Sequence, residues 1–127
     1  YGPSGCGQHA KLANQIMQAG IMSGVCEALS YVKEKGLDPE VFMEGAAAGA
    51  GQNALLQAYG PRIVKGDLDP GFFIDFFIKD LKLAYDSAAE SGLVLDSLAN
   101  TVSHYEKLSE EGLGRLGMQA LMKYYEK

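Results

Sequence analysis

The stretch "LANQIMQAGIMSGVC", residues 12–26, contains no charged side chain. A helix that is uncharged on every side is as a rule buried on every side. A membrane span needs roughly 20 predominantly apolar residues. This run is shorter and carries Asn14, Gln15 and Gln18. It therefore reads as the buried central helix of an all-α bundle. At about 100° per residue, Lys11, Asn14, Gln15 and Gln18 share one stripe, which continues in apolar form as Met22, Val25 and Leu29. Two readings follow. One is a polar pocket at the N-terminal end of a core helix. The other is an exposed first turn whose lysine reaches for water.

Working outward, the central helix is expected over Gln8–Lys35, with Gly36 in the left-handed position that ends it. Asp38 and Pro39 form a start signal. The helix they open, Val41 to Ala50, is rich in Gly45, Ala46, Ala47, Ala48 and Gly49 and should pack closely on the first. A third helix follows Asn53 and is expected to break at Gly60-Pro61. "KGDLDPG", 65–71, is a turn-rich loop. "FFIDFFIKDLKLAYDSAAESG", 72–92, is a strong helix, Asp96 can cap a helix over Ser97–Glu111, and "GLGRLG", 112–117, reads as a flexible joint before a short helix, Met118–Glu126. No strand series and no internal repeat are visible, so residues 1–127 read as one all-α domain.

Composition narrows the function classes. The 127 residues are 47% hydrophobic and 21% charged, which suits a globular core. A net charge of -5 argues against nucleic acid as partner, and no membrane partner is expected. Two cysteines, Cys6 and Cys26, without C-x-x-C spacing, and two histidines, His9 and His104, make a metal site improbable and suit a reducing, cytoplasmic setting. No basic-apolar-small series marks a signal peptide. The abrupt start at Tyr1 before a glycine-rich turn suggests a piece of a longer protein.

That turn, "GPSGCGQHAKLANQ", 2–15, formally contains a G-x-G-x-x-[GA] pattern over Gly5–Ala10. The pattern marks a dinucleotide loop only after a strand, within a βαβ unit. Only four residues precede Gly5, and helices follow. The glycines instead shape a helix entry, whose free N–H groups, beside Lys11, would welcome a carboxylate.

These residues resemble the start of the C-terminal domain of the β-hydroxyacid dehydrogenases, the group containing 3-hydroxyisobutyrate dehydrogenase and tartronate semialdehyde reductase. The family's G-x-x-G-x-G-x-x-x-K-x-x-N-[NQ] is matched by Gly2, Gly5, Gly7, Lys11, Asn14 and Gln15. A second motif, an aromatic-rich lead into K-D-L, is matched by Phe72, Phe73, Lys79, Asp80 and Leu81. The resemblance covers essentially the whole chain. It implies the α-domain fold shared with the C-terminal domain of 6-phosphogluconate dehydrogenase. It also implies an N-terminal Rossmann domain, absent from this chain, that holds most of an NAD or NADP cofactor. Lys11 would be the catalytic acid/base. Gly5, Gly7, Asn14 and Gln15 would meet a small hydroxy-carboxylate substrate, and Lys79 and Phe73 the cofactor. Members are usually homodimers or higher homo-oligomers built through this domain. Many members end in G-x-G-D-x-D-x-S-A where this chain has "GLGRLGMQAL", 112–121, so no contact carries over to the tail.

The chemistry is consistent with these residues. Oxidising an alcohol requires loss of its hydroxyl proton, which a lysine accepts if its pKa is brought down. Burial in a charge-free helix would do that. On the second helix, Asp75, Lys79, Lys82 and Asp86 form a polar stripe, so Lys79 could simply pair with Asp75. Asp80 falls between Phe76 and Phe73, on the apolar face, where a carboxylate needs a partner. It reads as structural support, bonded to a neighbouring helix end, in preference to orienting a lysine or a backbone group next to the site. His9 and His104 are expected on the surface, and the cysteines and methionines as core fillers. The competing function is a non-catalytic helical interaction module, with Phe72, Phe73, Tyr124 and Tyr125 as partner surface.

Overall fold

The computed structural model describes residues 5–126. Six α-helices follow in order: α1 (Cys6–Glu34), α2 (Pro39–Ala47), α3 (Ala54–Lys65), α4 (Ile74–Glu90), α5 (Asp96–Leu108) and α6 (Met122–Tyr125). Among the described residues the one extended pairing is an isolated bridge between Phe73 and Gly117. The architecture is the all-α bundle expected. α1 is its axis and touches every other helix.

Local chemistry sets the boundaries. Gly36 ends α1 at φ 71°, and the Leu37 N–H returns to the Val32 carbonyl at 3.0 Å. Asp38 Oδ1 accepts from the Glu40 N–H at 2.9 Å and Pro39 fills the first position of α2. Asn53 Oδ1 accepts from the Leu56 N–H at 2.7 Å and opens α3. Gly92, at φ 77°, follows α4. The core is built from Met22, Cys26 and Leu29 of α1, Phe77 and Leu81 of α4, and Tyr105 of α5, with Phe77 edge-on to Tyr105 at 5.4 Å.

Five expectations are corrected. α1 is not enclosed all round: Met17 is 61% exposed and Tyr31 63%. α2 buries no residue, and its glycines make no close approach to α1. The close contact falls at Gly60 of α3, where a Cβ would lie 2.6 Å from Met43 Sδ. α3 runs through Gly60-Pro61 without breaking, because a residue before proline that has no Cβ avoids the clash that disfavours helix there. Asp96 is the first residue of α5 rather than its side-chain cap. The helix closes through one wide turn, Ser109–Leu113, reversed by Gly112 at φ 89°.

The fifth concerns "GLGRLG", which is pinned rather than a flexible joint. The Ile74 and Asp75 N–H groups, free at the start of α4, donate to the Leu116 and Gly114 carbonyls at 2.9 and 3.0 Å. The Gly117 and Met118 N–H groups donate to Leu68 and Phe72. Buried Gln119 donates to the Asp67 and Asp69 carbonyls at 3.2 and 2.9 Å, and Arg62 binds the same loop through Asp67 and the Asp69 carbonyl.

Candidate active site

The two motifs meet at one hydrogen bond. Gln15 Nε2, in α1, donates to Asp80 Oδ2, in α4, at 2.8 Å. Gln15 is buried and Asp80 half-buried, so this is a charge-assisted bond partly shielded from water. Asp80 thus finds its partner on the neighbouring helix, as expected, though in a side chain well inside α1 rather than at a helix end. One of the two amide N–H donors of Gln15 is taken by Asp80, and its Oε1 is buried without a partner among the described residues. The bond fixes α4 against α1.

Around this bond stand exposed polar groups. Lys11, one turn before Gln15, and Asn14, beside it, are exposed on α1. Lys79 and Phe76 flank Asp80 on α4 and are likewise exposed, Phe76 to 56%. Lys79 makes no ion pair with Asp75 among the described residues. The Asp75 carboxylate accepts instead from Ser109 Oγ at 2.6 Å. Phe73 is half-buried at the start of α4, its ring 5.4 Å from that of Phe76. Gly5 precedes α1 in the left-handed region at φ 94°, and Gly7 has open space around it. Gly2 lies outside the described residues.

The desolvation expected for Lys11 is not supplied by this chain, whose α1 leaves it on open surface. Nor does it sit in a pocket. The groove beside the start of α1, about 430 Å³, is lined by His9, Leu12 and Ile16 against Ala84, Ala88 and Leu95, and includes neither lysine. The donor set does fit an anionic dinucleotide. Lys79 offers a cation and Phe76 a flat exposed ring on one face of α4. Arg115, which the sequence reading passed over, lays its guanidinium 5.3 Å above Phe73. The signal that could have found it was a basic residue in a tail where the resembling family carries acids.

Away from the site, His104 is half-buried rather than on the surface, stacked on Tyr124 at 3.9 Å, and burial pushes its pKa down. Tyr124 and Tyr125 are engaged with it, and Phe72 packs edge-on to Phe77 at 5.8 Å. These rings are half-buried and packed in part against the fold. Among the described residues, no helix is long and apolar enough to cross a membrane.

This all-α arrangement has the fold found in solved 3-hydroxyisobutyrate dehydrogenases. A structure of Mycobacterium tuberculosis 3-hydroxyisobutyrate dehydrogenase with L-serine superposes with a TM-score of 0.87 at 22% identity, over 95% of this chain and 44% of that one. Residues 5–125 match the family described as NAD-binding of NADP-dependent 3-hydroxyisobutyrate dehydrogenase, and the chain belongs to that family. It is 44% identical over 121 residues to the probable 3-hydroxyisobutyrate dehydrogenase-like 1, mitochondrial, of Arabidopsis thaliana, covering 95% of this chain and 36% of that protein. It is 33% identical to the 2-hydroxy-3-oxopropionate reductase of Escherichia coli, covering 98% and 43%. The chain thus spans about four-tenths of the length of these relatives.

Proposed function

We propose that this chain is the helical catalytic and substrate half of an NAD(P)-dependent dehydrogenase that interconverts a small 3-hydroxy acid and its semialdehyde. The observation that carries the reading is the Gln15–Asp80 bond, which places the lysine motif of α1 beside the K-D-L motif of α4. A bound nicotinamide dinucleotide supplies the hydride chemistry, held mainly by an N-terminal domain outside this chain. Neutral Lys11 takes the hydroxyl proton in oxidation. Protonated, it stabilises the alkoxide and returns the proton in reduction. Because Lys11 is exposed here, the rest of the protein must close over the start of α1 to exclude water. Asn14 donates to the substrate carboxylate, helped by the free N–H groups after Gly5. Gln15 and Asp80 hold the two helices in register, and Lys79 and Phe73 face the cofactor. The exposed, uncharged face of α1 supports assembly into homodimers or higher homo-oligomers. A cytoplasmic setting belongs to the same reading, although the Arabidopsis relative is described as mitochondrial.

The test is Lys11→Ala in the full-length protein, assayed against a panel of 3-hydroxy acids. Turnover should fall by about 10²–10⁴-fold, the usual contribution of a positioned acid/base, with dinucleotide affinity retained. Turnover at the wild-type rate would refute the assignment.

A further inference from the structure

Arg115 is the one residue of the tail that turns a charge outward at the start of α4. Its backbone is fixed on both sides, since the Gly114 and Leu116 carbonyls accept from the Asp75 and Ile74 N–H groups at 3.0 and 2.9 Å. Its guanidinium carbon lies 5.3 Å above the Phe73 ring. The ring contact takes up none of the guanidinium N–H donors, and those donors suit bidentate capture of a phosphate. Among the described residues no carboxylate pairs with it, and the side chain is exposed. Phe73, Phe76 and Lys79 follow at three-residue steps on α4, within about 120° of one another. Arg115 therefore extends a strip that already holds an exposed ring and a cation.

Distance decides what such a strip can hold. α1 and α4 run antiparallel: Gln15 meets Asp80, while His9 and Ala13, nearer the start of α1, face Ser87 and Ser91, nearer the end of α4. From Asp80 back to Phe73 is seven residues, and from Gln15 back to Lys11 four, in opposite directions. At 1.5 Å per residue these add to about 16 Å along the helix axes. A small hydroxy acid at Lys11 cannot span that. An anion that meets Arg115 belongs to a longer ligand.

We propose that Arg115, laid on Phe73, is a phosphate-binding residue for the dinucleotide, at the opposite end of the α4 strip from the chemistry. This rests on the reading that the Lys79 face of α4 meets the cofactor. Two phosphate sources exist on such a ligand, the pyrophosphate and the 2′-phosphate.

The test measures dissociation constants for NADPH and NADH by calorimetry, with no turnover, in the full-length protein carrying Arg115→Ala, Arg115→Lys or Lys79→Ala. Arg115→Ala should weaken binding by about tenfold or more, as loss of a charge-assisted contact does. Arg115→Lys, which keeps the charge and loses the planar fork, should fall between it and wild type, and serves alone if the alanine variant does not fold. Loss for NADPH only assigns the 2′-phosphate, and equal loss for both assigns the pyrophosphate. Unchanged binding in the Arg115 variants, with Lys79→Ala weakened, overturns the proposal and leaves the cofactor-facing reading standing. Unchanged binding in all three overturns both.

Discussion

Gln15 and Asp80 lie 65 residues apart in sequence and share a part-buried bond. Removing one partner of such a bond costs more than removing both, because a lone buried polar atom keeps its desolvation penalty. Asp80→Ala strands Gln15 Nε2 beside an Oε1 that already lacks a partner. It should lower unfolding free energy by about 1–3 kcal/mol. Adding Gln15→Met should recover part of that loss, and urea titration of Asp80→Ala, Gln15→Met and the double variant shows whether it does. Additive losses would mean the bond contributes nothing of its own. The need of Asp80 for a partner was legible from its place among phenylalanines. Which partner it takes was not, because helix angles say nothing of how two distant helices dock. Cys26 gives a second prediction. Burial, with Glu27 next to it, pushes its thiol from an ordinary 9.0 up to about 12. The folded protein keeps a proton that the unfolded chain releases first. The stabilisation is therefore complete below about pH 9 and is lost as pH rises toward about 12. Urea midpoints should fall over that window, and less steeply in Cys26→Ala. The fall should not vanish, since Tyr125 is also raised to about 12 by burial.

Helices announced by local chemistry were legible as elements: the caps at Asp38 and Asn53, and the left-handed glycines at 36 and 92, are written within a few residues of what they terminate. The 112–117 segment was not, because the bonds that pin it to the start of α4 and to the loop before it reach residues far away in sequence. Its glycines look like flexibility from the sequence and act as clearance in the fold. A Cβ at Gly114 would run into the Asp75 carboxylate. One at Gly117 would meet Gln119 Oε1 and come within 2.8 Å of the Asp69 carbonyl, a backbone atom that cannot swing aside. Gly117→Ala should therefore cost about 1–3 kcal/mol, the usual penalty of overpacking. It should also loosen the tail from the start of α4, where Phe73 and Arg115 sit. Gly45 is the contrast, a helical glycine with open space around it. Gly45→Ala should raise stability by about 0.5–1 kcal/mol, since it removes only a helix-propensity deficit. Thermal unfolding of the two variants should move in opposite directions. A shared direction would show that clearance at Gly117 does not matter.

At the scale of the molecule, the charge-free run of α1 says more than enclosure by its own chain. A core helix accounts for Leu12, Ala19, Met22, Val25, Cys26 and Leu29, all buried. It does not account for Ala13, Met17, Gly20, Ile21, Gly24 and Tyr31, which lie within about 100° of one another on the outer face and are exposed. Absence of charge there is what a covered surface shares with a core, because both exclude ions for the same reason. Small residues among larger apolar ones let another backbone approach closely, and such a strip on open surface is the mark of an interface. A glutamate in the middle of it would bury a charge in the assembly while meeting only water in the free subunit. Ile21→Glu and Met17→Glu in the full-length protein should therefore shift sedimentation from oligomer to monomer. Met17→Glu should change the unfolding free energy of the dissociated subunit by no more than about 0.5 kcal/mol, as exposed substitutions usually do, and Ile21→Glu by more, since Ile21 is only 36% exposed. An oligomer that survives both variants would place the interface elsewhere and leave this face for the N-terminal domain to cover. In that case the same glutamates would change substrate KM without changing the sedimentation coefficient.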